Sequence, residues 1–222
     1  MIVSFSGIDG AGKSTQICAL KSWLAHAGVK TVSLTFWDDV VPASRAREFM
    51  SHTIFRGERG VGSPGKPVNR RDKNLSPRLL VAMRFCLYFV DALGLCLKVR
   101  GFKHSNTQVF IFDRYLYDEL ANLPLHGKAT RVFVRTLLRL IPKPDIAFVI
   151  DAEPLAALAR KPEYPLEFLH RNREAYIALG RYTPMTFIES LSIEATEARI
   201  REALLRVLPG EKNTFAGLPT IP

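Results

Sequence analysis

Apolar residues along this chain fall into two patterns, short continuous runs and longer segments at helical spacing. The first run, MIVSFS at 1–6, is rich in β-branched and aromatic residues and predicts a buried strand. Behind it, Ile17, Leu20 and Leu24 recur at the spacing of a helix with one buried face. A second apolar run, KTVSLTF at 30–36, predicts the next strand. Because strand and helix alternate, the chain predicts an α/β fold with a parallel sheet.

Three further strands are predicted from short apolar runs later in the chain, at 108–112, 146–150 and 185–188. The helices are predicted at 43–55, 76–103, 116–123, 128–140 and 193–207, and one more begins near Pro154. The segment 56–74 has four glycines, two prolines and a basic tract, and is predicted to be a loop. The strand count therefore predicts a five-stranded parallel sheet.

The helix at 76–103 carries an apolar and a polar stripe. The apolar stripe consists of Leu79, Met83, Leu87 and Val90. The polar stripe consists of Arg84, Tyr88 and Asp91, at positions i, i+4 and i+7. Such a stripe is either an exposed edge or the lining of a cleft. Because these three residue types together can bind a phosphorylated ligand, we favour the cleft, above all for Arg84.

Length and composition predict one domain at 1–208 and a frayed tail at 209–222, since 222 residues with 47% apolar content can bury one substantial core. The N-terminus has no basic leader before an apolar segment. The most apolar later stretch, 85–99, is interrupted by Asp91 and is shorter than a membrane span of about 20 residues. We therefore expect a cytoplasmic protein that does not enter membranes.

The three cysteines, Cys18, Cys86 and Cys96, have neither metal-ligand spacing nor a disulfide pattern, and we expect them in the core. Lys plus Arg outnumber Asp plus Glu by 31 to 21, a formal charge of +10. Such an excess attracts polyanions in general and equally suits an enzyme with two phosphorylated substrates. Because the basic residues are dispersed and form no RNA-reading motif, nucleic-acid binding is not the expected main role.

The loop between the first strand and the first helix, GIDGAGKS at 7–14, fits the phosphate-loop (P-loop) pattern GxxxxGK[ST]. Its glycines let backbone amides turn toward one phosphate, and the following helix adds its positive end. Lys13 would reach the β- and γ-phosphates, and the Ser14 hydroxyl would hold Mg2+. The alternative is a glycine-rich turn that binds nothing. The predicted nucleotide-binding residues are Gly7, Ile8, Asp9, Gly10, Ala11, Gly12, Lys13, Ser14 and Thr15.

A second candidate is Asp113, which ends the apolar run at 108–112 and begins the sequence DRYLYD. Open α/β sheets place their chemistry at the carboxyl ends of the strands. The alternative is that Asp113 only caps the helix that begins near Tyr115. A third candidate is the segment 159–173, in which two prolines interrupt a basic, helical pattern. A helix, a turn and a second helix would form a basic flap.

Three stretches together resemble the thymidylate kinase family: FSGIDGAGKSTQ, FDRYLYD and the arginine-rich segment at 160–176. The resemblance implies the P-loop NTPase fold, with helices on both faces of the sheet, and makes 159–173 the short helical LID. It also implies that Asp9 meets the sugar 3′-hydroxyl of the acceptor or a nearby arginine. Asp113 would lie at the centre formed by Mg2+ and the acceptor phosphate, and Arg114 would hold that phosphate.

The family divides by whether a basic residue in the phosphate loop or arginines of the LID neutralise the transferring phosphoryl group. Position 10 is glycine here, so we expect the charge to come from Arg160, with Arg171 and Arg173 as weaker candidates. The alternative is that these arginines are only surface charge.

The sequence also departs from the family pattern. Where relatives carry an arginine for the acceptor phosphate, this chain has FWDD at 36–39, and only Arg45 or Arg47 could substitute. Arg84 matches the arginine expected at the thymine base, but Leu80 replaces the aromatic residue that should stack on it.

The function that the resemblance implies is transfer of the ATP γ-phosphate to dTMP with Mg2+. Arg84, Asp9 and Arg114 would bind the acceptor, and Lys13, Asp113, Arg114 and Arg160 would be catalytic. A related phosphotransferase with another nucleotide, a nucleoside or a sugar phosphate as acceptor is one alternative. A regulatory module that only binds nucleotides is another. The expected partners are small nucleotides, and a homodimer stays open.

Overall fold

The computed structural model describes residues 1–42, 78–102 and 105–207, with the backbone alone at 78–81. The predicted helix at 43–55, the basic loop at 56–74 and the tail at 209–222 lie outside the described residues. Arg45 and Arg47 lie outside them as well.

Five strands form one sheet, as predicted. They are β1 (Ile2–Ser6), β2 (Thr31–Thr35), β3 (Val109–Asp113), β4 (Ile146–Asp151) and β5 (Thr186–Glu189). The helices are α1 (Lys13–His26), α2 (Arg78–Gly101), α3 (Leu116–Leu120), α4 (Lys128–Leu140), α5 (Pro154–Arg160), α6 (Leu166–Leu179) and α7 (Ile193–Val207). A π-helical turn at Phe36–Val40 follows β2 and was not predicted.

The strand order is β2-β3-β1-β4-β5, and every neighbouring pair is parallel. The carboxyl ends of all strands therefore lie at one edge of the sheet. Phe5 of β1 is paired with Asp113 of β3 on one side and with Phe148 of β4 on the other. The order reverses around β1, and at such a point a doubly wound sheet opens a crevice for ligands.

Consecutive residues of β1, from Val3 to Ser6, are all buried. Since successive strand residues point to opposite faces, helices must cover both faces of the sheet. The rings of Phe5 and Phe148 lie 5.2 Å apart between centroids in the middle of this core. The predicted α/β fold with a parallel sheet covered on both faces is therefore confirmed.

Helix α2 turns its polar stripe inward. Tyr88 and Asp91 are buried, whereas Met83 and Val90 of the apolar stripe are 45% and 41% exposed. The Tyr88 hydroxyl donates a hydrogen bond to Glu119 of α3. Among the described residues, no helix is long and apolar enough to cross a membrane.

The expectation that the cysteines lie in the core is wrong. Cys18 and Cys86 are exposed, and Cys96 is partly buried. Cys86 lies on the outward side of α2, and Cys18 lies on α1 beyond the face that carries Ile17 and Leu20.

Gly94 of α2 offers a test of how this helix packs. A Cβ at Gly94 would lie 2.7 Å from the Val40 carbonyl oxygen and 3.2 Å from Pro42, whereas a Cβ at Gly101 of the same helix would meet nothing within 4 Å. We expect Gly94→Ala to lower the free energy of unfolding by about 1–3 kcal/mol, because the clash outweighs the helix propensity of alanine. Gly101→Ala, the matched control, should raise it by up to about 1 kcal/mol. Urea denaturation of both variants measures this, and a stabilised Gly94→Ala protein would contradict the packing.

Candidate active site

The phosphate loop joins β1 to α1 at the carboxyl edge of the sheet. Gly7, Gly10 and Gly12 have φ angles of 136°, 82° and 93°, in a region that side chains disfavour. A Cβ would lie 2.6 Å from the Ile150 carbonyl oxygen at Gly7 and 2.2 Å from the Ala157 carbonyl oxygen at Gly10. The backbone therefore packs more closely than any other residue allows. No side chain caps α1, so the amides of its first turn can donate hydrogen bonds to an anion.

Lys13 lies within this loop. Its buried ammonium group donates hydrogen bonds to the carbonyl oxygens of Gly7 and Ile8, both at 2.9 Å. Burial, together with the charge of Arg114, lowers the pKa of Lys13 to about 8. The loop thus concentrates a poorly solvated cation where a phosphate would bind.

Ser14 and Thr15 are exposed on the first turn of α1, and Asp113 is partly buried at the end of β3. Within the described part of the chain, no group of three or more His, Cys, Asp and Glu residues could hold a metal ion. Mg2+ does not need such a group, because it usually binds one or two carboxylates together with water and substrate phosphates. The Ser14 hydroxyl and the Asp113 carboxylate supply the oxygen donors that suit this ion.

Arg114 connects the end of β3 to the phosphate loop. Its Nη2 donates to Oδ1 of Asp9, and its Nη1 donates to Oδ1 of Asp118 at 3.1 Å. Burial alone would lower the pKa of Arg114, but the carboxylates of Asp9 and Asp118 raise it above its ordinary value. Of the two partners expected for Asp9, a sugar hydroxyl or an arginine, the described structure contains the arginine.

The backbone of Arg114 is left-handed, with a φ of 69°. A non-glycine residue in this region costs on the order of 1–3 kcal/mol and persists where its surroundings fix it. Here the two carboxylates fix the side chain, and the Arg114 amide donates to the Phe5 carbonyl oxygen at 2.9 Å. The chain therefore holds the guanidinium at the sheet edge in one defined orientation.

Asp118 is a residue of this site to which the sequence analysis gave no role. Its Oδ2 accepts a hydrogen bond from the Tyr115 amide at 3.0 Å, which satisfies the first amide of the turn leading into α3. Asp118, and not Asp113, thus provides this capping contact. No hydrogen bond within the described residues holds the Asp113 carboxylate. The sequence signal for Asp118 is an acid four residues after Arg114, at the start of a helix.

The LID, residues 159–173, comprises the end of α5, a turn and the start of α6. Arg160 Nη1 lies 3.7 Å from the place where a Cβ at Gly12 would stand, so this guanidinium borders the phosphate loop. Arg173 instead forms a bidentate ion pair with Asp151, at 2.5 and 2.8 Å. Arg171 stands over the Phe168 ring, 6.0 Å from its centroid. Of these three arginines, the described contacts bring Arg160 to the loop.

Arg84 is partly buried on α2, beside Tyr88. Burial, followed by the charge of Glu119, raises the pKa of Tyr88 well above its ordinary value, while Arg84 opposes that shift. Glu119 is the chain neighbour of Asp118 on α3. Tyr88, Asp91 and Glu119 are buried, so this side of α2 is not an exposed edge.

Comparison with known proteins places this geometry in a family. No protein-family model matches the chain. A probable thymidylate kinase of Archaeoglobus fulgidus is 23% identical over 221 residues, which cover 96% of this chain and 100% of the relative. The crystal structure of thymidylate kinase from Ehrlichia chaffeensis superimposes with a TM-score of 0.56 at 20% identity, covers 92% of this chain and 98% of that one, and shows the shared fold.

A probable thymidylate kinase of Pyrobaculum aerophilum is 32% identical over 215 residues, which cover 93% of this chain and 97% of the relative. At this identity over nearly the full length of both proteins, similarity is not confined to the phosphate loop. The chain belongs to the thymidylate kinase family.

Proposed function

We propose that this protein is an ATP-dependent thymidylate kinase, which transfers the γ-phosphate of ATP to dTMP and releases ADP and dTDP. The observation that supports this most is the guanidinium of Arg114 held between Asp9 of the phosphate loop and Asp118. A cation that could bind the acceptor phosphate would then lie beside the loop that would bind the donor. Phosphoryl transfer needs in-line placement and neutralised charge more than covalent chemistry, and these residues can supply both.

On the donor side, the amides of the phosphate loop and of the first turn of α1 would bind the ATP phosphates. Lys13 would leave its two carbonyl partners and place its charge on the β- and γ-phosphates. Ser14 and Asp113 would hold Mg2+, which would neutralise charge on the phosphate oxygens. Arg160, at the rim of the same loop, would stabilise charge that develops on the transferred group.

On the acceptor side, Arg114 would hold the monophosphate and Arg84 would face the base. The π-helical turn replaces the arginine expected after β2 with Asp38 and Asp39. Asp39 accepts a hydrogen bond from the amide of Thr35, the last residue of β2, at 2.7 Å, so this carboxylate is bonded to the backbone of its own turn. Within the described residues, the acceptor phosphate would then depend mainly on Arg114.

A second candidate acceptor follows from Leu80, which stands where the family pattern has the aromatic residue that stacks on the base. A different nucleotide, a nucleoside or a sugar phosphate would use the same Lys13, Asp113 and Arg160. A regulatory module would need the phosphate loop alone, so the pairing of Arg114 with Asp9 and Asp118 favours an enzyme.

Nucleotide substrates of this kind would place the protein in the cytoplasm, which fractionation of cells can test.

The exposed side of α2 supports a homodimer. Met83, Val90 and Leu97 recur every seven residues and are 45%, 41% and 67% exposed, with Leu93 between them at 49%. A seven-residue apolar repeat is the pattern with which one helix packs along another. A second copy of this chain presents the same stripe and could cover it around a two-fold axis.

The substrate is tested with a panel of nucleoside monophosphates, nucleosides and sugar phosphates, in which ADP release from ATP is measured. We expect dTMP to give the largest stimulation, because Asp9 and the Arg114 segment match the thymidylate kinases. Lys13→Ala should abolish the signal, whereas Lys21→Ala on the same helix should retain it. Stimulation by another acceptor and none by dTMP would replace dTMP in this proposal.

Replacing Arg160 tests the source of the compensating charge. We expect Arg160→Ala to lower kcat by about 10²–10³-fold while the Kd for ATP changes far less, since the arginine acts mainly on charge in the transition state. Arg171→Ala should have a small effect on kcat. The assignment is wrong if Arg160→Ala keeps full turnover and Arg171→Ala or Arg173→Ala abolishes it.

Asp113→Asn separates a catalytic carboxylate from a structural one. We expect a folded protein that binds ATP but has lost at least about a hundredfold in turnover, because asparagine lacks the charge that the metal and the acceptor require. Asp145→Asn is the control. Asp145 accepts a hydrogen bond from the Ile2 amide at 2.6 Å at the opposite edge of the sheet, so its replacement should affect stability alone. Unchanged turnover and melting temperature for Asp113→Asn would leave that residue without a role.

The homodimer is tested by sedimentation equilibrium. We expect the mass of a dimer for the wild type and that of a monomer for Leu97→Glu, because a charge would be buried in the seam. Leu205→Glu, at a 43% exposed position of α7, is the control and should stay dimeric. A wild type that is monomeric at micromolar concentration contradicts the proposal.

A further inference from the structure

The carboxylate of Asp118 is saturated with hydrogen bonds. Its Oδ1 accepts from Arg114 Nη1 at 3.1 Å and from the Tyr176 hydroxyl at 2.8 Å. Its Oδ2 accepts from the Ser6 hydroxyl at 2.7 Å and from the Tyr115 amide at 3.0 Å. A carboxylate offers about four such positions. Each one is occupied, so the side chain has little freedom to turn.

The four donors come from different parts of the fold. Ser6 ends β1 directly before the phosphate loop, Tyr115 follows β3, and Tyr176 lies on α6, the helix that begins in the LID. Asp118 therefore ties the two central strands to the LID helix at the edge of the sheet where the site lies.

Tyr176 is suited to a fixed donor role. It is buried, and its hydroxyl also lies 3.4 Å from the Gly7 carbonyl oxygen of the phosphate loop. Burial, together with the neighbouring carboxylate of Asp118, raises the pKa of Tyr176 well above its ordinary value. The hydroxyl thus keeps its proton and donates to the same Asp118 oxygen that holds Arg114.

Arg114 depends on this arrangement for its direction. Its guanidinium has five N–H donors, and the bonds to Asp9 and Asp118 use one on each terminal nitrogen. Because the guanidinium is planar, the two fixed N–H groups determine the directions of the other three. If the Asp118 carboxylate could rotate, the guanidinium would keep its charge but would no longer have one fixed orientation.

We propose that Asp118 and Tyr176 are positioning residues that hold Arg114 in the orientation that grips the acceptor phosphate. Tyr176 acts through Asp118 and thereby links the LID helix to the acceptor site. The kinetic part of this inference rests on the proposed function, in which Arg114 binds the acceptor. The orientation of Arg114 itself does not depend on that function.

Steady-state kinetics of Tyr176→Phe, Asp118→Asn and the double variant test the link, with the best acceptor of the substrate panel. We expect Tyr176→Phe to raise the KM of the acceptor about tenfold and Asp118→Asn to raise it further, while the KM for ATP changes less than about twofold. Since Tyr176 acts through Asp118, the double variant should be no worse than Asp118→Asn. Tyr115→Phe is the control, because its buried hydroxyl donates to the Pro142 carbonyl oxygen at 2.7 Å and touches neither residue.

A purely structural role would lower the melting temperature and leave the KM of the acceptor unchanged, and that result overturns the proposal. Additive effects in the double variant overturn the link through Asp118. If Asp118→Asn does not fold, Tyr176→Phe alone decides, because it removes one hydroxyl and keeps the ring.

A second measurement is independent of catalysis. In protein labelled with ¹³C and ¹⁵N arginine, the guanidinium signals of Arg114 are assigned with an Arg114→Lys variant. We expect separate, slowly exchanging Nη signals in the wild type and in Tyr115→Phe, and averaged signals in Tyr176→Phe. Unchanged signals in Tyr176→Phe overturn the inference. An inactive wild type whose Arg114 signals average in Tyr176→Phe contradicts the proposed function and supports the positioning role.

Discussion

The ion pairs of Arg114 with Asp9 and Asp118 are the interaction on which the site depends. The phosphate loop contributes Asp9, the first turn of α3 contributes Asp118, and a left-handed residue at the end of β3 brings the guanidinium between them. Either carboxylate alone at this depth would be costly, since burial of an uncompensated charge is strongly unfavourable. The attraction between the two carboxylates and the guanidinium offsets the cost of burying their charges. The ion pairs also join the phosphate loop to the end of β3 and the start of α3.

The same principle explains how charge is distributed over the LID. Arg173 is neutralised by Asp151 at the end of β4, which fastens α6 to the sheet. Arg160 ends a short helix whose backbone touches Gly10, and its guanidinium borders Gly12. A close backbone contact thus brings one arginine to the phosphate loop, while an ion pair holds the other at the end of β4. Counting basic residues in the segment would treat the two alike.

Local sequence patterns were enough to predict most of the helices and strands. Helices α4 and α7 begin and end where the sequence predicts, and Ile17, Leu20 and Leu24 are buried as their spacing indicates. The phosphate loop was also predictable, because its function lies in consecutive residues. The pair of Arg173 with Asp151 and the contact of Tyr176 with Asp118 were not, because these residues lie 22 and 58 positions apart and are brought together by the fold. The capping contact of Asp118 is local, three residues from Tyr115, but the pattern alone did not distinguish it from Asp113 as the cap.

Helix α2 shows why periodicity could not decide which side faces inward. The sequence offers an apolar stripe and a polar one, and burial of the apolar stripe would be the ordinary outcome. Tyr88 and Asp91 are buried, and Glu119 of α3 accepts a hydrogen bond from the Tyr88 hydroxyl. Burial of polar groups is affordable once their hydrogen bonds are made. Met83 and Val90 of the apolar stripe are then left exposed, while Leu87 still packs against the core, so the burial of the polar stripe and the exposed face of α2 have one cause.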